Sequence, residues 1–113
     1  MRASLLLIAL MSAWQEPAVT VRDLSHPSEV LSSDRPYRVV LPPAYATSRK
    51  RYPVVYWLNG YEQSSEDRDR EIAAYVAAHD VIVVSFGPVE TTGASPLYFP
   101  ELVQHIDSTL RTN

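Results

Sequence analysis

The pattern of apolar and polar positions predicts strands that alternate with helices. Two continuous apolar runs, at 54–58 and 81–84, are too uniform to alternate between a core and water. They therefore predict strands covered on both faces, as in a parallel sheet, and we expect the first run to be a central strand. Apolar residues then recur at helical spacing in 66–78 and 99–110, and this alternation favours βαβ units.

The predicted helices have distinct apolar faces. In the first helix, Ile72, Tyr75, Val76 and the alanines are expected to pack inward. In the second, the inward set is Phe99, Leu102, Val103, Ile106 and Leu110. The polar residues Gln104, His105, Asp107 and Ser108 are then expected to face water. His105 and Asp107 lie two positions apart on that helix, so their side chains point in different directions and cannot form a catalytic pair.

The segment before the first apolar run predicts antiparallel strands. We expect 18–24 to pair with 29–31 across a turn at 25–28, since that turn contains Pro27. A further strand at 37–41 ends at two prolines, because proline cannot donate to the ladder.

The N-terminus has the order of a secretory signal. Arg2 precedes a short apolar core and small residues, and the stretch is too short to span a bilayer. We expect residues 1–17 to be a signal peptide with a short linker, residues 18–113 to form the domain, and the mature protein to be secreted or periplasmic. The alternative is an N-terminal element that packs on the domain.

Composition excludes several classes of function. The chain has 113 residues, a net charge of −3 and no cysteine. The basic patch that nucleic-acid binding requires is therefore absent, as are disulfides and thiol chemistry. Its longest basic run, at 49–51, is expected to be a solvated loop. The three histidines lack metal-ligand spacing, so we expect no metal and no cofactor.

The end of the first apolar run is the best candidate for a site. It stops at Asn59 and Gly60, and glycine can take positive φ and let the backbone approach a ligand. An ordinary strand-to-helix turn explains the same pair.

Three blocks in this order resemble the serine esterase family of α/β-hydrolases, which includes esterase D, feruloyl esterases and mycolyltransferase-like enzymes. The blocks are YRVVLPPAY at 37–45, YPVVYWLNGY at 52–61 and YFPELVQHID at 98–107. The resemblance covers 21–113 and implies the N-terminal part of an α/β-hydrolase fold, with a mostly parallel sheet, flanking helices and an incomplete domain.

The resemblance also implies roles for the loop after the first run. The backbone amide of Tyr61 corresponds to one oxyanion-hole donor, and Gly60 shapes the loop. Asn59, which stands where many family members carry histidine, and Glu62 are candidates for contact with substrate, although a solvated loop explains Glu62 equally well. The ligand expected of a complete enzyme is a small ester.

The sequence contains no nucleophile elbow. Gly93-Ala94-Ser95 lacks the second glycine of G-x-S-x-G and lies before a predicted helix, so it is expected to be a loop. The nucleophile, acid and histidine of a triad are therefore not expected in this chain, and the chain alone is expected to be inactive. Two hypotheses remain: a portion of a carboxylic ester hydrolase, or a non-catalytic remnant or small binding or assembly module.

Overall fold

A four-stranded mixed sheet with a helix on each face forms the framework. The computed structural model describes residues 18–58, 65–87 and 95–113, so the predicted signal peptide lies outside them. The strands are β1 (Thr20–Ser28), β2 (Ser33–Leu41), β3 (Val54–Leu58) and β4 (Ile82–Phe86), and the helices are α1 (Ser65–His79) and α2 (Ser95–Thr109). Both helices and the two apolar-run strands were predicted from the sequence, and the basic run at 49–51 is exposed outside any element, as expected.

The expectation of a mostly parallel sheet is confirmed only in part. In the order β1-β2-β4-β3, β1 pairs antiparallel with β2, and β2 antiparallel with β4. Only β3 and β4 are parallel in the described sheet, joined through α1. The turn between β1 and β2 is four residues long, which suits a hairpin, whereas a parallel connection needs a crossover of a dozen residues or more.

The first hairpin is longer than predicted, and its turn lies elsewhere. β1 continues through His26 and Pro27 to Ser28, and the turn is at 29–32, where the amide of Ser32 donates to the carbonyl of Glu29 at 3.3 Å. Proline is tolerated in β1 because this strand lies at the edge of the sheet, where some backbone donors need no partner. The predicted pairing of 18–24 with 29–31 is therefore wrong.

The predicted central strand lies at the other edge of the described sheet. β3 is last in the strand order, its first four residues are half-buried, and Leu58 is 61% exposed. The interior strands are β2 and β4, and all five residues of β4 are buried. A continuous apolar run thus identified a strand in both cases but gave the position of only one.

Two apolar layers cover the sheet. On one face, α2 places Tyr98, Leu102 and Ile106 against Val84 and its neighbours, and on the other α1 places Ile72 and Val76 against Val40 and Val83.

Two aromatic residues and most of the α1 alanines depart from the predicted inward sets: Ala74, Ala77 and Ala78 are exposed. Tyr98 is buried in place of Phe99, which is 43% exposed, and Tyr75 of α1 is 39% exposed. In the ranges that the structure describes, neither helix is long and apolar enough to cross a bilayer.

Candidate functional site

The carboxyl ends of β3 and β4 lie side by side. Leu58 pairs in register with Phe86, so β3 and β4 terminate at the same end of the sheet. In open α/β sheets, ligands usually bind at the carboxyl ends of the strands. The predicted site residues Asn59, Gly60, Tyr61 and Glu62 lie outside the described residues, and their roles stay predictions. Of the loop predicted at 93–95, residues 93–94 also lie outside them, while Ser95 is the first residue of α2 and not part of a loop.

The backbone that follows α2 pairs with the chain just before β3. Tyr52 and Thr112 form a parallel bridge. The Tyr52 amide donates to the carbonyl of Arg111 at 3.0 Å, and the Asn113 amide donates to the carbonyl of Tyr52 at 2.9 Å. Sequence analysis did not identify this contact, because the bridge joins residues that are far apart in the chain.

The side chain of Arg111 anchors this contact. Its guanidinium donates to the carbonyls of Tyr45 and Ser48 and lies 4.0 Å over the ring of Tyr45, a cation–π arrangement. The peptide at 111–113 is thereby held parallel to the strand that leads to the predicted oxyanion loop.

A cleft of about 250 Å³ opens at this same end of the sheet, between β1, β2, β4 and the start of α1. Its walls include Leu24, Pro36, Tyr37 and Phe86, with Ser85 and Gly87 at the end of β4. Its polar side is a row of charges that begins at β1. Sequence analysis did not identify this cleft, because its residues come from four separate elements.

Arg38 lies in the middle of that row. Its Nε and Nη2 donate to the two oxygens of Asp23 at 2.6 and 3.0 Å, and its Nη1 donates to Oδ2 of Asp69 at 2.6 Å. Hydrogen bonding to these carboxylates raises the pKa of Arg38 further, and hydrogen bonding to Arg38 lowers the pKa of Asp23. Each of the three guanidinium nitrogens of Arg38 therefore donates a hydrogen bond to a carboxylate.

On the opposite face, two histidines lie in contact. The rings of His26 and His105 have centroids 4.5 Å apart, and Nε2 of His105 lies 3.2 Å from the hydroxyl of Tyr37. The expectation that His105 faces water is wrong, because the long β1 brings His26 over α2. As expected, His105 and Asp107 are not a pair: the carboxylate of Asp107 accepts a hydrogen bond from the hydroxyl of Thr112 at 2.7 Å.

Glu101 of α2 connects this cluster to the first hairpin. Its carboxylate accepts hydrogen bonds from the side chains of His26 and Ser28, at 2.9 and 2.6 Å, and from the amides of Glu29 and Val30, at 3.0 and 3.1 Å. Burial pushes its pKa upward, but these four donors outweigh burial and hold the pKa at about 2. Both carboxylate oxygens of Glu101 thus accept hydrogen bonds, and these bonds connect α2 to the hairpin.

Comparison with known proteins gives one family match. The family model described as "Putative esterase" matches residues 28–111, well over half of the chain. A search of curated proteins finds no match.

Several solved structures share the fold. A ferulic acid esterase matches at 22% identity and a TM-score of 0.66, over 86% of this chain and 46% of that one. An IroE-like serine hydrolase from Shewanella oneidensis matches at 26% identity and a TM-score of 0.60, over 84% and 40%. An S-formylglutathione hydrolase from Agrobacterium tumefaciens matches at 16% identity and a TM-score of 0.66, over 88% and 47%. The chain thus spans less than half the length of each of these structures.

Proposed function

We propose that this chain, which belongs to the Putative esterase family, supplies the N-terminal part of a carboxylic ester hydrolase that uses a serine nucleophile. In this proposal the chain contributes the first strands of the sheet and one oxyanion-hole amide, that of Tyr61. The serine, acid and histidine come from a polypeptide segment outside this sequence.

The observation that carries the proposal is the parallel bridge between Tyr52 and Thr112. A strand that continued from Thr112 in this direction would run beside β3 toward the loop at 59–62. Since a strand rises about 3.3 Å per residue, about six further residues would bring it level with Leu58. A nucleophile elbow, which sits on a strand-to-helix turn, would then lie next to the predicted oxyanion loop.

The chemistry requires that adjacency. When a serine oxygen attacks an ester carbonyl, the carbonyl oxygen becomes an oxyanion, and a backbone N–H placed beforehand stabilises it. The alcohol leaves as an acyl-enzyme forms, and water then releases the acid. The expected contribution of Tyr61 is its main-chain N–H, so the side chain is free to vary, while Gly60 lets the loop adopt its shape.

The test begins with the nucleotide sequence beyond the codon for Asn113. An apolar strand followed by G-x-S-x-G within about twenty codons is expected. The extended polypeptide should then hydrolyse short-chain nitrophenyl esters, and alanine at the elbow serine should abolish turnover. An open reading frame without such a motif, or a folded extended protein without ester hydrolysis, would favour the non-catalytic module instead.

A further inference from the structure

We propose that the cleft at the carboxyl end of β4 binds the carboxylate of a short organic acid, with Arg68 of α1 as its charged partner. The acid is either free or the acidic part of a larger ester. The inference goes beyond ester hydrolysis, because binding in the cleft requires no turnover and no residue outside the described ranges.

Arg68 stands at the end of the row of charges and is its least satisfied member. Its Nε lies 3.8 Å from Oδ1 of Asp69, which is too far for a hydrogen bond. The other oxygen of Asp69 is already bound by Arg38, which also binds both oxygens of Asp23. Asp69 is therefore shared between two guanidinium groups and satisfies one of them.

The Nε of Arg68 is also withdrawn from water. The Arg68 side chain is 15% exposed, and its buried Nε has no hydrogen-bond partner in the structure as described. A buried donor without an acceptor costs free energy, and a charged one costs more. An incoming carboxylate would give this Nε the acceptor that it lacks among the described residues, and planar two-point pairing with carboxylates is the geometry that arginine favours.

The rest of the cleft suits an acid with a short apolar body. Leu24, Pro36, Tyr37 and Phe86 line it beside the arginine, and its volume of about 250 Å³ exceeds that of a single water several-fold. Ser85 and Gly87 place it one strand away from β3, whose loop carries the predicted oxyanion amide. An acid-bearing ester is therefore as suitable a ligand, by position, as a free acid.

Three probes separate the sources of the carboxylate. Titration with butyrate, monomethyl glutarate and dimethyl glutarate, followed through the backbone amide signals of Ser85 and Gly87, compares a free acid, an acid-bearing ester and a neutral ester. Butyrate alone, monomethyl glutarate alone, or both are expected to shift these signals, and whichever binds identifies the source. Equal shifts with the neutral diester, or no shift with either acid, would overturn the proposal.

Substitutions then test the role of Arg68 in binding the acid. Arg68→Gln should weaken acid binding by about tenfold or more, the size expected for a charged hydrogen bond. Arg70→Gln on the same helix is the matched control: Arg70 is 71% exposed, pairs with Asp67 and does not line the cleft, so its loss should leave binding unchanged. Acid binding that is unaffected by Arg68→Gln would overturn the proposal.

A steric variant covers the case in which Arg68→Gln fails to fold. Gly87 lines the cleft, and a Cβ built on it meets nothing within 4 Å, so Gly87→Leu adds bulk while every charge stays in place. Weaker acid binding is expected. If binding to Gly87→Leu equals that of the parent, the acid lies outside the cleft and the proposal fails.

Discussion

The carboxylate of Glu101 lies 2.9 Å from Nε2 of His26, although 75 positions separate the two residues in the chain. The contact joins the middle of α2 to the first strand of the hairpin. Both groups are largely withdrawn from water, with side-chain exposures of 6% for His26 and 19% for Glu101. A shielded carboxylate with four donors stabilises the fold more than an exposed ion pair does.

Replacing Glu101 with glutamine is therefore expected to destabilise the fold. The substitution removes the charge and turns one acceptor oxygen into a donor that faces other donors. We expect the free energy of unfolding to fall by about 1–3 kcal/mol. Urea denaturation of Glu101→Gln measures this against Glu71→Gln, a matched change at an exposed position of α1. Equal stability of the two variants would contradict the role given to Glu101.

The free energy of unfolding should also decrease in two stages as the pH is lowered. Burial and the nearby ring of His26 lower the pKa of His105, so the fold favours the neutral imidazole. That contribution is present above the unfolded histidine value of about 6.5 and decreases as pH falls below it. The lowered pKa of Glu101 gives a second loss, from the unfolded value of about 4.3 down toward about 2.

The first stage can be separated from the second. His105→Gln should flatten the stability profile between pH 7 and 5 and leave the loss below pH 4.5 in place. His79→Gln, at an exposed histidine of α1, is the control and should keep the parent profile. Thermal melts across this range provide the measurement, and an unchanged upper stage in His105→Gln would show that another group causes it.

How far the sequence predicted this fold differs from element to element. Periodicity located α1, α2, β3 and β4, because each has a continuous or helically spaced apolar set that burial requires. Periodicity could not predict the order of the strands, which depends on pairing across the sheet. The continuous apolar run of β3 is typical of a strand covered on both faces and therefore predicted a central strand, while in the described sheet β3 lies at an edge.

The contacts of the site depend on long-range geometry in the same way. Pro27 appeared to end a strand, but an edge strand accepts it, and the longer β1 then carries His26 to His105. Arg38 and Arg68 were unremarkable in the sequence, since the cleft forms only when β1, β2, β4 and α1 are assembled. The residues of the predicted oxyanion loop stay predictions, because they lie outside the described part of the chain.

Two tyrosine hydroxyls give a paired prediction. Tyr52 is fully buried, and its hydroxyl has no hydrogen-bond partner among the described residues, whereas the hydroxyl of Tyr37 lies 3.2 Å from Nε2 of His105. Tyr52→Phe should leave stability unchanged or raise it by up to about 1 kcal/mol, and Tyr37→Phe should lower it by about 1 kcal/mol. Chemical denaturation measures both, and a larger loss in Tyr52→Phe than in Tyr37→Phe would reverse the assignment.

The outer edge of β3 should govern the solubility of the isolated chain. Leu58 is 61% exposed at an edge strand, a combination that promotes strand-to-strand association. Leu58→Lys is expected to reduce aggregation, as measured by light scattering at increasing concentration. Leu97→Lys on α2 alters an equally exposed leucine, at 62%, away from the edge. If both changes reduce aggregation equally, the cause is general hydrophobicity and not the edge.

The 113-residue chain itself is expected to show no esterase turnover, because none of its serines lies in an elbow motif. Nitrophenyl ester assays measure this directly. Hydrolysis above background that a single serine substitution abolishes would contradict the expectation.

The most direct test of the proposed function compares two substitutions at Tyr61 in the polypeptide extended beyond Asn113. Tyr61→Ala keeps the backbone amide, while Tyr61→Pro removes it. Losing one oxyanion donor costs about 3 kcal/mol in comparable acyl-transfer sites, so kcat should fall by roughly two to three decades in Tyr61→Pro and much less in Tyr61→Ala. Circular dichroism confirms that both variants are folded before assay. Equal kcat values for folded Tyr61→Pro and the parent enzyme would show that this loop does not build the oxyanion hole.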